Sequence, residues 1–99
     1  MDSTSSIALS GMQAAQASLG ATAHNIANLA TPGFRRQTVE ATPLAGGGVT
    51  TSVHQASEPG DDMATDMVGL LTSKNAFLAN LAVFRTGDRM LGSLLDATS

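Results

Sequence analysis

Hydrophobic and polar positions follow three different rhythms along this chain, and each rhythm predicts a different element. From Ser3 to Ala30 the apolar residues Ala8, Met12, Ala15, Leu19, Ile26 and Leu29 recur at spacings of three, four or their multiples, with Thr22 filling the remaining position of the stripe. That period belongs to one face of a helix, predicted over 3–30, with Met12 and Leu19 as its main seam residues. Asp2, Ser3 or Thr4 can cap its start by accepting from free backbone N–H groups, and Thr31-Pro32-Gly33 stops it. Gly11 and Gly20 each cost about 1 kcal/mol relative to alanine, so this helix is weak in isolation.

The rhythm changes after Phe34. Residues 34–56 alternate loosely, Val49, Thr51 and Val53 sit at period two, and Pro43 to Gly48 is a turn signal ending in three glycines. A short β-hairpin and a flexible loop are both compatible with this, because an isolated two-stranded hairpin is marginal in water. Pro59-Gly60-Asp61-Asp62 then introduces a second helix, predicted over 62–97, whose acids suit a helix N-terminus. Its seam reads Met67, Leu70, Phe77, Leu81, Phe84, Leu91 and Leu95 at heptad spacing, with Lys74 and Asp88 as polar members. A second stripe, Ala64, Val68, Leu71, Leu78 and Ala82, widens the apolar surface beyond what one neighbour covers.

The expected fold is mainly α. Residues 1–99 form a single domain in which two long helices make an antiparallel coiled-coil-like hairpin, with a short β-hairpin or loop between them. A helix of about 27 residues spans roughly 40 Å. Two such helices cannot enclose all the apolar area of the second, so a homo-oligomer or a subunit of an assembly is expected.

Composition narrows the function. Five Lys and Arg against eight Asp and Glu give a net charge of −3, and the longest basic tract is Arg35-Arg36, which argues against nucleic acid. No Asp, Glu, Lys or Arg occurs between Asp2 and Arg35, so the first helix lacks an ionic face. The densest apolar stretch, Ala76 to Phe84, is interrupted by Asn80 and falls short of the roughly 18 to 20 residues of a membrane span, so no membrane insertion is expected. No charged region precedes an early apolar core, so a cleaved secretory signal is not expected either.

Candidate chemistry is thin. The chain has no cysteine. His24, His54, Glu58, Asp61 and Asp62 lack metal-ligand spacing, and Asp61, Asp62 and Asp66 read as acids at a helix N-terminus rather than as a catalytic pair. No Gly-x-Ser-x-Gly elbow occurs, and Gly46-Gly47-Gly48 lacks the Lys-Ser/Thr sequel of a phosphate loop. No catalytic, cofactor or metal site, and therefore no enzyme, is expected.

The most specific signal is the string Asn25-Ile26-Ala27-Asn28-Leu29-Ala30-Thr31-Pro32-Gly33-Phe34, preceded by Ser10-Gly11-Met12-Gln13-Ala14-Ala15 and followed by Arg35-Arg36. It resembles the N-terminal signature of the bacterial flagellar axial family, the rod and hook proteins of the basal body. Near the other end, Leu70 to Asn80, then Thr86, Asp88, Met90-Leu91 and Leu94-Leu95, resembles the C-terminal signature of the same family. His24, Ala30, Phe77 and Leu78 depart from the residues common at those places, and the middle segment is short.

The resemblance implies a structural subunit of the basal-body rod, with its terminal helices packed in the inner layers of a tube that crosses the periplasm. It further implies partners among other axial proteins and copies of itself, and passage through the flagellar export apparatus without signal cleavage. The residues expected to carry assembly are Asn25, Ile26, Asn28, Thr31, Pro32, Gly33, Phe34, Phe77 and Asn80. The three asparagines would set register, and Phe34 would plant its ring in a neighbouring groove. The alternative is a free-standing helical-hairpin oligomer or adaptor that binds partner helices outside the flagellum.

Overall fold

The computed structural model describes residues 3–98, so Asp2, a candidate cap, lies outside the described residues. The element order is α1 (Ser3–Ala27), β1 (Gln37–Pro43), β2 (Val49–Gln55) and α2 (Met63–Thr98). α1 ends three residues before Ala30 because its hydrogen bonds tighten there. The Asn28 amide is shared between the carbonyls of His24 at 3.2 Å and Asn25 at 3.3 Å, and the Leu29 amide reaches only three residues back, to Ile26. The start of α2 is capped by Asp62, whose carboxylate accepts from the Thr65 amide at 3.1 Å and the Thr65 hydroxyl at 2.7 Å. These two bonds hold the Asp62 carboxyl below its ordinary pKa of 3.8.

The middle segment is an ordered antiparallel ribbon, paired in unbroken register from Gln37 opposite Gln55 to Pro43 opposite Val49. Its turn closes with reciprocal bonds between Leu44 and the Gly47–Gly48 region, and both glycines hold positive φ, 94° and 85°. A Cβ on Gly47 would fall 2.7 Å from the Ile7 side chain, and one on Gly48 would fall 2.7 Å from Ser10 Oγ. The turn is therefore pressed onto α1, which gives the ribbon the third layer that an isolated hairpin lacks.

The fold class differs from the expected coiled-coil-like hairpin of two helices. Helix, strand, strand and helix follow in order, and α1 is covered on two sides, by α2 and by the β-ribbon, while the strands pack on α1 alone among the described residues. The helices run antiparallel: Ser5 faces Gly87, Gly11 faces Asn80 and Thr22 faces Gly69.

The heptad seam expected on α2 is also displaced. The stripe that meets α1 is Asp66, Gly69, Ser73, Asn80 and Gly87, whereas Met67, Leu91 and Leu95 are 43%, 44% and 61% exposed. Leu70, Phe77, Leu81 and Phe84 sit half-buried at the edges of the contact. Small residues win the centre because they let the two backbones approach closely, with large side chains flanking the line. Leu91 and Leu95 lie past Gly87, where α2, with 36 residues against 25 in α1, outruns its partner. On α1, Met12 is buried and Leu19 half-buried.

The molecule measures 62 × 25 × 14 Å. Its buried apolar residues among those described, Ala8, Met12, Ala15 and Ala21, all lie on α1. α2 is long and apolar enough to cross a membrane by length and composition, with an 18-residue window of mean hydropathy 1.3 that is 6% buried. The sequence reading missed this window because Ser73, Lys74, Asn75 and Asn80 interrupt the apolar run without lowering its mean enough.

Candidate functional site

The Asn25–Phe34 string at the end of α1 folds into a compact junction between α1, the foot of the ribbon and the start of α2. Asn25 is its centre, 3% exposed. Its carboxamide donates to the Gln37 carbonyl at 2.8 Å and accepts from the Gln37 amide at 2.7 Å, as a neighbouring strand would. A side chain with one donor and one acceptor in a plane is needed for this; aspartate lacks the donor and glutamine is a methylene longer.

Asn28 does not share the face of Asn25. It lies in the turn beyond α1, where its amide nitrogen donates to the His24 carbonyl at 2.8 Å and its oxygen accepts from the Thr31 hydroxyl at 3.1 Å. The chain then reverses through Pro32 and Gly33, whose φ of 74° suits glycine. Phe34 turns its ring edge onto His24, with centroids 5.2 Å apart and planes at 60°, and its carbonyl accepts from the Gly60 amide at 3.1 Å. Ile26 is half-buried, and Thr31, Pro32 and Gly33 are exposed.

Arg36 and Asp66 complete the junction. Asp66 is 2% exposed, and its carboxylate accepts a hydrogen bond from the Arg36 guanidinium, whose side chain is 21% exposed. That bond raises the Arg36 pKa above its ordinary value, against the opposing effect of desolvation. Arg36 Nε and Asp66 Oδ2 are buried without a hydrogen-bond partner among the described residues. The pair ties the foot of the β-ribbon to the first turn of α2.

This corrects the reading of Asp66 as an acid that serves only the helix N-terminus. Residues 30 apart in sequence carry no periodic signal of contact; the available hint was that Arg35 and Arg36 are the first cations after a charge-free stretch. The roles of Gln37 and Ser10 also escaped the sequence reading, because Gln37 acts through its own backbone and Ser10 bonds to the backbone of a distant strand.

Phe77 and Asn80 stand apart from this junction, roughly 20 Å along α2 from Asp66 at 1.5 Å per residue. The Asn80 carboxamide donates to its own Ala76 carbonyl at 2.8 Å and lies against Gly11, where a Cβ would overlap it. Gly11, a weak point for helix propensity, is therefore what admits Asn80 between the helices.

A groove of about 370 Å³ opens beside the junction, lined by Asn25, Arg36, Gln37, Asp66, Val68 and Ser73 among others. Within that lining Asn25 bonds to the Gln37 backbone and Arg36 to Asp66. Among the described residues no cluster of three or more His, Asp or Glu side chains forms that could hold a metal ion. The arrangement fixes the angle of one element against another.

Residues 6–35, which comprise most of α1 and the turn that ends it, match the family model described as flagella basal body rod protein. The second motif, from Leu70 onward, lies outside the matched residues. A search of curated proteins found no match to the chain. The match supports a structural role related to the rod, and a place in the flagellar basal body. Over this N-terminal segment the chain is similar to the flagella basal body rod proteins, the family that its Asn25–Phe34 motif resembles.

Proposed function

We propose that this chain is a structural subunit of the flagellar basal-body rod that assembles by packing its helices against copies of itself and other axial proteins. The observation that carries the reading is the outward face of α2. Val68, Leu71 and Leu94 are 62%, 63% and 65% exposed, and Met67, Leu78, Val83, Met90, Leu91 and Leu95 join them along the same helix. Monomeric proteins rarely leave so long an apolar surface in water, and at about 25 cal/mol per Å² its burial is a strong drive to associate.

In this reading the Asn25–Phe34 junction sets the angle of α2 relative to α1, so that subunits present a uniform outer face. Asn80 against Gly11 fixes the register of the helix pair, with Phe77 beside it. The family relationship supports export through the flagellar apparatus without a cleaved signal.

The test is genetic and structural together. Deletion of the gene is expected to abolish flagellar assembly and swimming, and the wild-type gene to restore both. A variant with Leu71→Ser and Leu78→Ser is expected to fold as a monomer yet fail to restore swimming. Normal filaments on the deletion strain would overturn the rod reading and favour a helical adaptor working outside the flagellum.

A further inference from the structure

We propose that the β-ribbon is a displaceable strap: in the free chain it lies along α1 and occupies a face that a helix of a second copy takes over on assembly. The inference rests on the assembly reading above and adds a control step to it.

The strap is held lightly. At its foot Asn25 grips the Gln37 backbone, and at its tip Ser10 Oγ accepts from the Val49 amide at 3.2 Å while donating to the Ile7 carbonyl at 2.8 Å. Between these two clasps the strands bury little. Gln37, Val39 and Val49 are half-buried, and every strand residue from Thr50 to Gln55 is exposed. Its own ladder runs the full seven residues of each strand, so none of its strand-to-strand hydrogen bonds is given up when it leaves α1.

It would swing rather than detach. The Arg36–Asp66 pair and the bond from the Gly60 amide to the Phe34 carbonyl hold its base to the rest of the chain. What it covers is part of a helix with no Asp, Glu, Lys or Arg. Uncovered in water, that face would add a second sticky surface to the one α2 already exposes. Covered, it leaves association to a partner able to displace the strap. The outward face of α2 on a second copy, presenting Leu71 and Leu78, offers the apolar side chains that the α1 face around Ile7 would receive.

A disulfide can lock the strap. The chain has no cysteine, and a Cβ on Gly48 would sit 3.5 Å from the Ser10 Cβ, within the range for a bridge. In a Ser10→Cys/Gly48→Cys variant the oxidised protein is expected to self-associate about tenfold more weakly in sedimentation than the same protein reduced. Because Gly48 holds a positive φ, a second approach avoids it. Ser10→Ala is expected to strengthen association and to speed hydrogen exchange of the Val49 amide. In the wild-type chain the Gln37 and Val49 amides are expected to lose protection on assembly.

Equal association of the oxidised and reduced forms, or Gln37 and Val49 amides that stay protected in the assembled wild type, would overturn the strap and leave the assembly reading standing. A wild-type chain that stays monomeric at every concentration would overturn the assembly reading itself, and the strap with it.

Discussion

The two helices reverse what their compositions suggest. α1 has no charged side chain to face water, yet it supplies all the buried apolar residues among those described and is sheltered on two sides. α2 carries Asp66, Lys74, Arg85, Asp88, Arg89 and Asp96, and leaves most of its large apolar side chains exposed. The difference follows from side-chain size. Ala8, Ala15, Ala21, Ser5 and Gly11 let both α2 and the ribbon come close, and no single neighbour can wrap the leucines of α2. Lack of charge marks the helix that is covered within the chain; bulk marks the one left exposed.

Substitutions at the junction test this contrast hardest. Asp66→Ala leaves the Arg36 guanidinium without its buried partner and is expected to cost about 3 kcal/mol in denaturant unfolding. Asn25→Ala removes both bonds to Gln37 and is expected to cost about 2 kcal/mol, with Asn25→Asp no better because a carboxylate cannot donate to the Gln37 carbonyl. If Asn25→Ala changed stability less than a leucine substitution on α2, α1 would not be the helix around which the chain is built.

On the other side of the comparison, Leu94→Ser with Leu95→Ser is expected to move unfolding by no more than about 0.5 kcal/mol per site, while weakening self-association in sedimentation. A large loss of stability would mean that the overhanging end of α2 is buried within the chain after all.

The smallest effect belongs to the α2 cap. Because the folded state lowers the Asp62 pKa, the carboxylate stabilises the fold above its ordinary 3.8, and this contribution disappears as pH falls through the lower folded value. Asp62→Ala is therefore expected to lower the melting temperature slightly near neutral pH, with the gap to wild type closing in acid. A gap that widened in acid would reverse the assigned direction.

Much of the local structure was legible. The period of Ala8, Met12 and Ala15 located α1 and Asp62 announced the start of α2, while the alternation of Val49, Thr51 and Val53 left a hairpin and a loop both open. The Asn25–Phe34 string named a family through a pattern of small, polar and turn residues. Two readings failed for the same reason: the heptad seam and the role of Asp66 were both judged along one element. Met67 and Leu95 look like seam residues by size and spacing, but what lies opposite decides burial, and the line that meets α1 runs through Gly69, Asn80 and Gly87 instead.

Helices and turns are written locally in the residue order, because periodicity, capping and glycine conformation act within a few residues. Which faces close emerged from packing between segments. It paired Arg36 with Asp66, laid the ribbon along α1 through Ser10 and Asn25, and placed Gly11 under Asn80. Contacts between segments depend on how closely backbones can approach, and that distance is set by the side chains of both partners together.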